Sequence, residues 1–285
     1  MDKNKLTIAI PASIISDTPH LREKTFKIGL IARTAAIFRV HKIIIYPDNI
    51  HTKQTQEIAL ITKLLNYIET PQYLRKTLYK IEPDLQYVGI LPPLRTPHHP
   101  ASGKNCDLKV GEYREGIILN QTKEGLIVDI GVQSTALLRE RQFSIGDRLT
   151  TQIIKNDNNR IEIQTVNRND IPTYWGFQVK TEDKTFGHML QTTNFDLIIS
   201  TARMANNFVD VVDKIANRWD KAEQVLIAFG SPSRGLHEIA KDEGLHLETI
   251  SDFVINTVPK QGTVTVRTEE ALLISLAIFN TYFNL

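Results

Sequence analysis

The sequence predicts an α/β protein that carries an inserted small β-barrel. Three observations carry this prediction. Apolar strand-like runs alternate with amphipathic helical stretches over the first 68 residues. Prolines then crowd the segment LPPLRTPHHPASGKN, and short turn-rich runs follow it. Strand–helix alternation resumes after Pro172. A strand–helix–strand–helix order favours a mainly parallel sheet covered by helices.

Each element follows from its residues. Leu6–Ile10 reads as a buried strand stopped by Pro11, and residues 20–39 as a helix with Phe26, Leu30, Ile31, Ala35 and Phe38 at near-helical spacing. Lys42–Tyr46 is a second strand, ended by Pro47-Asp48. Residues 52–68 form a second helix, with Ile58, Ile61, Leu64, Leu65 and Ile68 on one side. Pro92, Pro93, Pro97 and Pro100 argue against a long helix in the next segment. Short runs then come at Gly116–Leu119, Gly125–Gly131, Thr135–Leu138, Arg148–Ile154 and Arg160–Val166, parted by glycines and by Asn156-Asp157-Asn158-Asn159. About five short strands in about seventy residues suggest a small barrel. Residues 94–171 therefore read as an inserted domain of the oligonucleotide/oligosaccharide-binding (OB) type, and 1–93 with 172–285 as one discontinuous α/β domain. Beyond Pro172, Tyr174–Val179, Phe195–Ser200, Val225–Phe229 and Phe253–Ile255 read as strands and 206–219 as a helix. A last helix starts near Arg267–Glu270, and its apolar run from Leu272 to Phe279 implies deep burial.

Composition bounds the function. The chain has 285 residues, 41% hydrophobic and 23% charged, near globular averages. No run of 18 apolar residues occurs, so no membrane span is expected. The apolar stretch before Pro11 is too short for a secretory signal. The single Cys106 excludes a disulfide framework and a cysteine-rich zinc site. The expectation is a soluble, cytoplasmic protein. Net charge is +2, but residues 1–94 hold 13 basic and 8 acidic residues, against 10 and 14 in 171–285. A basic N-terminal segment allows contact with a polyanion, and a solvated helix face explains the same charges.

Familiar nucleotide, zinc-protease and hydrolase motifs are absent from the sequence. His98-His99 is a poor metal pair, because adjacent side chains diverge, so no metal is expected. A stronger signal is two glycine-bearing loops, each after an apolar strand: Phe229-Gly230-Ser231-Pro232-Ser233-Arg234-Gly235-Leu236, and Asn256 through Thr265. Ligands in open α/β sheets lie beyond the carboxyl ends of strands. Glycines admit close backbone approach. Two ordinary strand–helix turns give the same spacing.

These residues carry a family resemblance. GLIARTAAIFRVHKIIIY (29–46), VLIAFGSPSRGL (225–236) and VINTVPKQGTVTVRTEEALLISLAIF (254–279) resemble, in order, the three motifs of the SPOUT superfamily of RNA methyltransferases. TPQYLRKTLY, LRTPHHP, YREGI and NTVPKQGTVTVRTEEALLISLA bring the whole chain close to the archaeal and eukaryotic branch with an inserted OB domain, the RNA uridine-N3 methyltransferases. The resemblance implies a deep C-terminal trefoil knot, S-adenosylmethionine held bent in the knot loops, and a homodimer with sites near the subunit interface.

It also implies roles at matching positions. Gly230 and Gly235 leave room for the cofactor. Leu236, Ile255 and Val258 sandwich adenine, and main-chain groups around Asn256, Gln261 and Gly262 bond its edge. Thr201 and Arg203 belong to the first knot loop; Arg203 meets the methionine carboxylate or ribose, or forms a surface salt bridge. Thr268 serves the cofactor, caps its helix, or does both. Arg33 matches the arginine near the target in ribose-methylating relatives, where a guanidinium clamps phosphate. Those relatives carry Ser-Leu-Asn where this chain has Val266-Arg267-Thr268, so their mechanism does not carry over. RNA contact is assigned to Arg22, Lys24, Lys27 and Arg39, with Arg75 and Lys76, and on the barrel to Tyr113 and Arg114. The expected activity is methylation of uridine N3 in ribosomal RNA, on looped or single-stranded substrate. Its rivals are ribose 2′-O methylation, a non-catalytic RNA-binding or assembly role, and a nucleotide enzyme unrelated to RNA.

Overall fold

The computed structural model describes residues 4–101, 103–157 and 160–285. The chain forms two compact units. One comprises residues up to Ile68 with Pro83–Pro93 and Phe177–Leu285; the other comprises Glu69–Glu82 and Leu94–Gly176.

The first unit contains β1 (Lys5–Pro11), α1 (Leu21–Ile37), β2 (Lys42–Tyr46) and α2 (Thr55–Glu69), whose last residue crosses into the second unit. The second unit contains α3 (Gln72–Leu78) and strands β3 (Tyr113–Gln121), β4 (Leu126–Asp129), β5 (Ala136–Leu138), β6 (Arg148–Asn156) and β7 (Ile161–Thr165). The chain then returns to the first unit. It supplies β8 (Gln178–Thr181), α4 (Phe186–Thr192), β9 (Leu197–Asn207), α5 (Phe208–Trp219), β10 (Gln224–Ala228), α6 (Leu236–Asp242), α7 (Leu247–Ile250), β11 (Phe253–Asn256) and α8 (Thr268–Phe283).

Six strands make one parallel sheet in the order β11-β9-β10-β1-β2-β8. The central strands are continuous apolar runs because helices cover both faces. Ala9, Ile44, Tyr46, Leu226 and Ala228 pack under Phe186, Met189, Leu236, Ile239 and Leu247 from α4, α6 and α7. Phe208, Trp219, Phe279 and Phe283 form an aromatic cluster between α5 and α8, with Trp219 and Phe283 stacked 4.7 Å apart.

The parallel sheet and the barrel agree with the fold class read from the sequence. Differences are local. The strand expected at Tyr174–Val179 begins only at Gln178, because Gly176 turns the chain at φ +79 and a Cβ there would lie 2.3 Å from the His98 ring. Strand β9 runs on to Asn207. Helices α3, α4, α6 and α7 escaped the sequence reading, since none exceeds 7 residues and so short a segment shows no periodicity.

In the second unit, β3-β4-β5-β7-β6 close into a barrel, antiparallel except for β5 with β7. Ile118, Val128, Ile130, Leu138, Ile153 and Ile163 fill it. Asn158 and Asn159 of the expected β6–β7 turn lie outside the described residues. A buried charge network ties the chain before the barrel to its strands. The Glu69 carboxylate takes Arg148 and Arg168, each at 2.7 Å, and lies 3.4 Å from His98 Nε2. His98 and His99 both bond Glu69 O, at 3.0 and 2.8 Å. Arg148 also reaches Glu115 at 2.7 Å, and Glu115 accepts from Trp175 Nε1 at 2.6 Å. Three of the motifs quoted above, TPQYLRKTLY, LRTPHHP and YREGI, meet in this unit: Tyr73 donates to Glu115 O at 2.8 Å, and Arg75 Nε to Thr70 O at 2.8 Å.

Candidate active site

Parallel strands present their carboxyl ends on one side, and loops after neighbouring strands adjoin there. A bulge within β9 and the loops after β10 and β11 meet there, and enclose a cleft of about 310 Å³. The first is a bulge: Ser200 faces Val254, but the next pair is Asn206 with Ile255, so residues 201–205 leave the ladder. Thr201, Ala202, Arg203 and Met204 of this bulge line the cleft. The second loop is a tight turn, with Ser231 N–H donating to Arg234 O at 2.9 Å. Gly230 suits that turn, because a Cβ there would press at 3.1 Å on both Arg234 O and Leu236 N. The third loop runs from Asn256 to α8, and Lys260 within it has φ +57.

Hydrogen bonds knit the three loops. Thr201 Oγ1 donates to Ala228 O at 3.0 Å, and Arg203 Nη1 to Val264 O at 2.8 Å. Asn256 Nδ2 donates to Arg203 O at 2.7 Å, while its Oδ1 accepts from Val258 N–H at 2.8 Å. Gln261 Nε2 donates to Thr263 O at 2.9 Å. Thr268 Oγ1 donates to Gly230 O at 2.8 Å, so its proton joins α8 to the second loop. The helix start is served instead by Glu270, whose carboxylate accepts the Arg267 N–H at 2.9 Å. Phe229, Ile255, Val258 and Val266 supply apolar wall between these polar groups.

Of the cofactor residues expected from the sequence, Thr201, Arg203, Gly230, Gly235, Ile255, Asn256, Val258, Gln261 and Thr268 line this cleft. Leu236 lies beneath, fully buried in the helix–sheet core. Gly262 is exposed on the third loop, outside the lining. Arg33 is half-buried on α1, donates to Pro93 O at 3.1 Å and is not on the lining. Met204, Arg234, His237 and Glu238 line the cleft without having been singled out. Arg234 was legible as the arginine of the Ser-Pro-Ser-Arg loop; Met204 was not, because no pattern signals the bulge.

The residues assigned to RNA divide differently. Arg22 and Lys76 are exposed and Lys24 is half-buried. Lys27 is buried, its ammonium 2.7 Å from Asp17 and 3.4 Å from Glu269. Arg39, at φ +51, donates to Leu285 O. Arg75 is bonded to Thr70 as above, and Arg114 is buried, 2.7 Å from Glu112. Tyr113 meets the Trp175 ring edge-on at 6.0 Å. Lys27 and Arg114 thus have their charges committed inside the fold. Among the described residues, no group of three or more His, Cys, Asp or Glu is placed to hold a metal, and no helix is long and apolar enough to cross a membrane.

Fold and cleft together define a class: an α/β protein with a ligand cleft at the carboxyl ends of a parallel sheet, joined to a closed five-stranded barrel. Comparison with known proteins narrows it. The model of the family described as "Putative RNA methyltransferase" matches residues 5–279, and the chain belongs to that family of RNA methyltransferases. A Drosophila melanogaster 28S rRNA (uridine-N(3))-methyltransferase is 31% identical over 95% of this chain and 61% of its own length. The human protein of the same name is 28% identical over 95% of this chain and 77% of its own. An uncharacterised protein of Haloarcula marismortui is 31% identical over 95% of this chain and 96% of its own. This chain therefore spans less than two thirds of the fly protein.

Proposed function

We propose that the protein is an S-adenosylmethionine-dependent methyltransferase that methylates N3 of a uridine in ribosomal RNA. The observation that carries this is the cleft of three cross-bonded loops in a chain of the RNA methyltransferase family. The names of the fly and human relatives supply the nucleotide and the RNA.

The cleft residues fit the cofactor. The volume of about 310 Å³ lies at the low end of ordinary ligand pockets. Ile255, Val258 and Phe229 offer apolar wall for a purine, and main-chain groups of the second and third loops can satisfy its edge. Gly235 faces open space, since a Cβ there meets nothing within 4 Å. When bound, the cofactor supplies an electrophilic methyl on a sulfonium. The protein's own work is then alignment of the acceptor nitrogen with that methyl. The uridine imide is about as acidic as a phenol, so modest positive charge favours its deprotonated form.

The finer fold belongs to the same reading. Bonds from the third loop and α8 back to Arg203 and Gly230 support a knotted SPOUT arrangement. The strand order β3-β4-β5-β7-β6, with β5 parallel to β7, supports an OB barrel that adds RNA affinity. Exposed Phe26, Leu30 and Ile37 on α1 and Leu273 on α8 support a homodimer. Arg33 lies between Leu30 and Ile37 at helical spacing, on that same face, which supports a role for it at the interface of such a dimer.

The test is nucleoside mass spectrometry of ribosomal RNA from cells lacking the protein. Loss of 3-methyluridine, restored by the native gene, is expected. Loss of a ribose-methylated nucleoside instead would establish 2′-O chemistry. Unchanged nucleosides with retained RNA binding would establish a non-catalytic role.

A further inference from the structure

We infer that Arg234 is a positioning residue that clamps the second loop of the cleft, residues 230–235, into its cofactor-accepting shape. The inference rests on the cofactor reading above and extends it to a network outside the cleft walls.

Arg234 sits on the loop, and its guanidinium spans two elements. Nη1 donates to the Asp242 carboxylate at the end of α6, at 2.7 Å. Nη2 donates to Asp48 O and lies 3.5 Å from the Asp48 carboxylate, just beyond β2. The Asp48 side chain is wholly out of solvent. A buried carboxylate is tolerated only when hydrogen-bonded and charge-compensated. Asp48 meets both conditions: it accepts from Ser13 N–H at 3.0 Å, Ser13 Oγ at 2.6 Å and Gln54 Nε2 at 2.9 Å, with Arg234 as the cation.

The loop is therefore held at both ends by the carboxyl end of β2. Its entry is fixed where Tyr46 OH donates to Phe229 O at 2.6 Å. Its exit is fixed by Arg234, which also closes the turn through the Ser231 N–H bond to its carbonyl and its own N–H bond to Ser231 Oγ at 3.0 Å. A loop of small residues has many conformations, and binding to it otherwise costs the entropy of ordering it. A clamp made before the ligand arrives removes that cost. A lysine cannot do the same, because it lacks the planar fork that reaches two acceptors at once.

The experiment is calorimetric titration with S-adenosylhomocysteine of the native protein, Arg234→Lys, Asp48→Asn and their double variant, with amide exchange of each measured without ligand. The clamp predicts that both single variants weaken binding by roughly tenfold. The double variant is no weaker than the worse single one, since both break one device. Exchange accelerates in residues 230–235 and not in β1. Asp242→Asn guards against a misfolded Asp48 variant: its site is partly exposed, and about threefold weakening is expected. Arg234→Lys weakening binding while exchange in residues 230–235 stays at the native rate would mean that the guanidinium meets the ligand itself, and would overturn the positioning role. Unchanged exchange in 230–235 together with unchanged binding would overturn it as well. If the native protein binds no cofactor, the cofactor reading falls, and the exchange data alone decide whether Arg234 orders the loop.

Discussion

At the scale of single residues, the cleft shows which positions local sequence can announce. Glycines and polar residues directly after an apolar strand mark a loop near a ligand; the nine expected residues that line the cleft were assigned individually through the family resemblance. Gly235 gives a direct test. Its φ of −72 suits any L-residue, and its Cβ direction is open. Gly235→Phe is expected to fill the cleft and abolish S-adenosylhomocysteine binding in calorimetry, with a melting temperature close to native. Native affinity in that variant would remove the second loop from the site. Lys27 marks the limit of local reading. It stands in a basic helix like a surface cation, yet Asp17 and Glu269 enclose its ammonium. Glu269 lies 242 positions away, beyond any local pattern.

Among elements, α8 stands out. Its apolar residues run round the helix, the pattern of a helix buried on all sides. Leu272, Leu276 and Phe279 are fully buried, but Leu273 is 46% exposed. Helix α1 beside it leaves Phe26 at 50% and Ile37 at 52%. A second copy would cover these faces. Sedimentation is expected to show a dimer for the native protein and a monomer for Leu30→Glu combined with Leu273→Glu. A monomeric native protein would leave these faces without a second copy and Arg33 without an interface. The strands were legible because buried parallel strands are short apolar runs with abrupt ends; the short helices were not, since their apolar positions are too few to set a period.

On the scale of the whole molecule, the buried network around Glu69 sets a pH dependence. Burial, then the neighbouring His98, pushes the His99 imidazole down to about 3, against an ordinary 6.5. Burial alone would raise the Glu69 carboxyl, but Arg148, the His98 hydrogen bond and Arg168 hold it well below the usual carboxylate range. Both groups take up protons more readily unfolded than folded. The stability due to His99 is thus full above about pH 6.5 and is lost as pH falls towards 3; that due to Glu69 is full above about pH 4.5 and is lost below it. Amide exchange in β3 and β6 is expected to speed up steadily from pH 7 to pH 4 after correction for intrinsic rates. His99→Gln should flatten the upper part of that slope. A flat native profile down to pH 5 would show that His99 is not held neutral.

The sequence by itself determined the alternation of strands and helices, the interruption by a barrel and the loops that bear the cleft. Each of these is written in neighbouring residues, through apolar runs, prolines and glycines. Only the tertiary structure decided which charges face inward and which residues clamp the loops. Glu69 meets Arg148 and Arg168 across 79 and 99 positions, and Arg234 meets Asp48 across 186. Such pairs form only when folding brings distant residues together, and burial then makes the pairing necessary, since a buried charge left unpaired is costly.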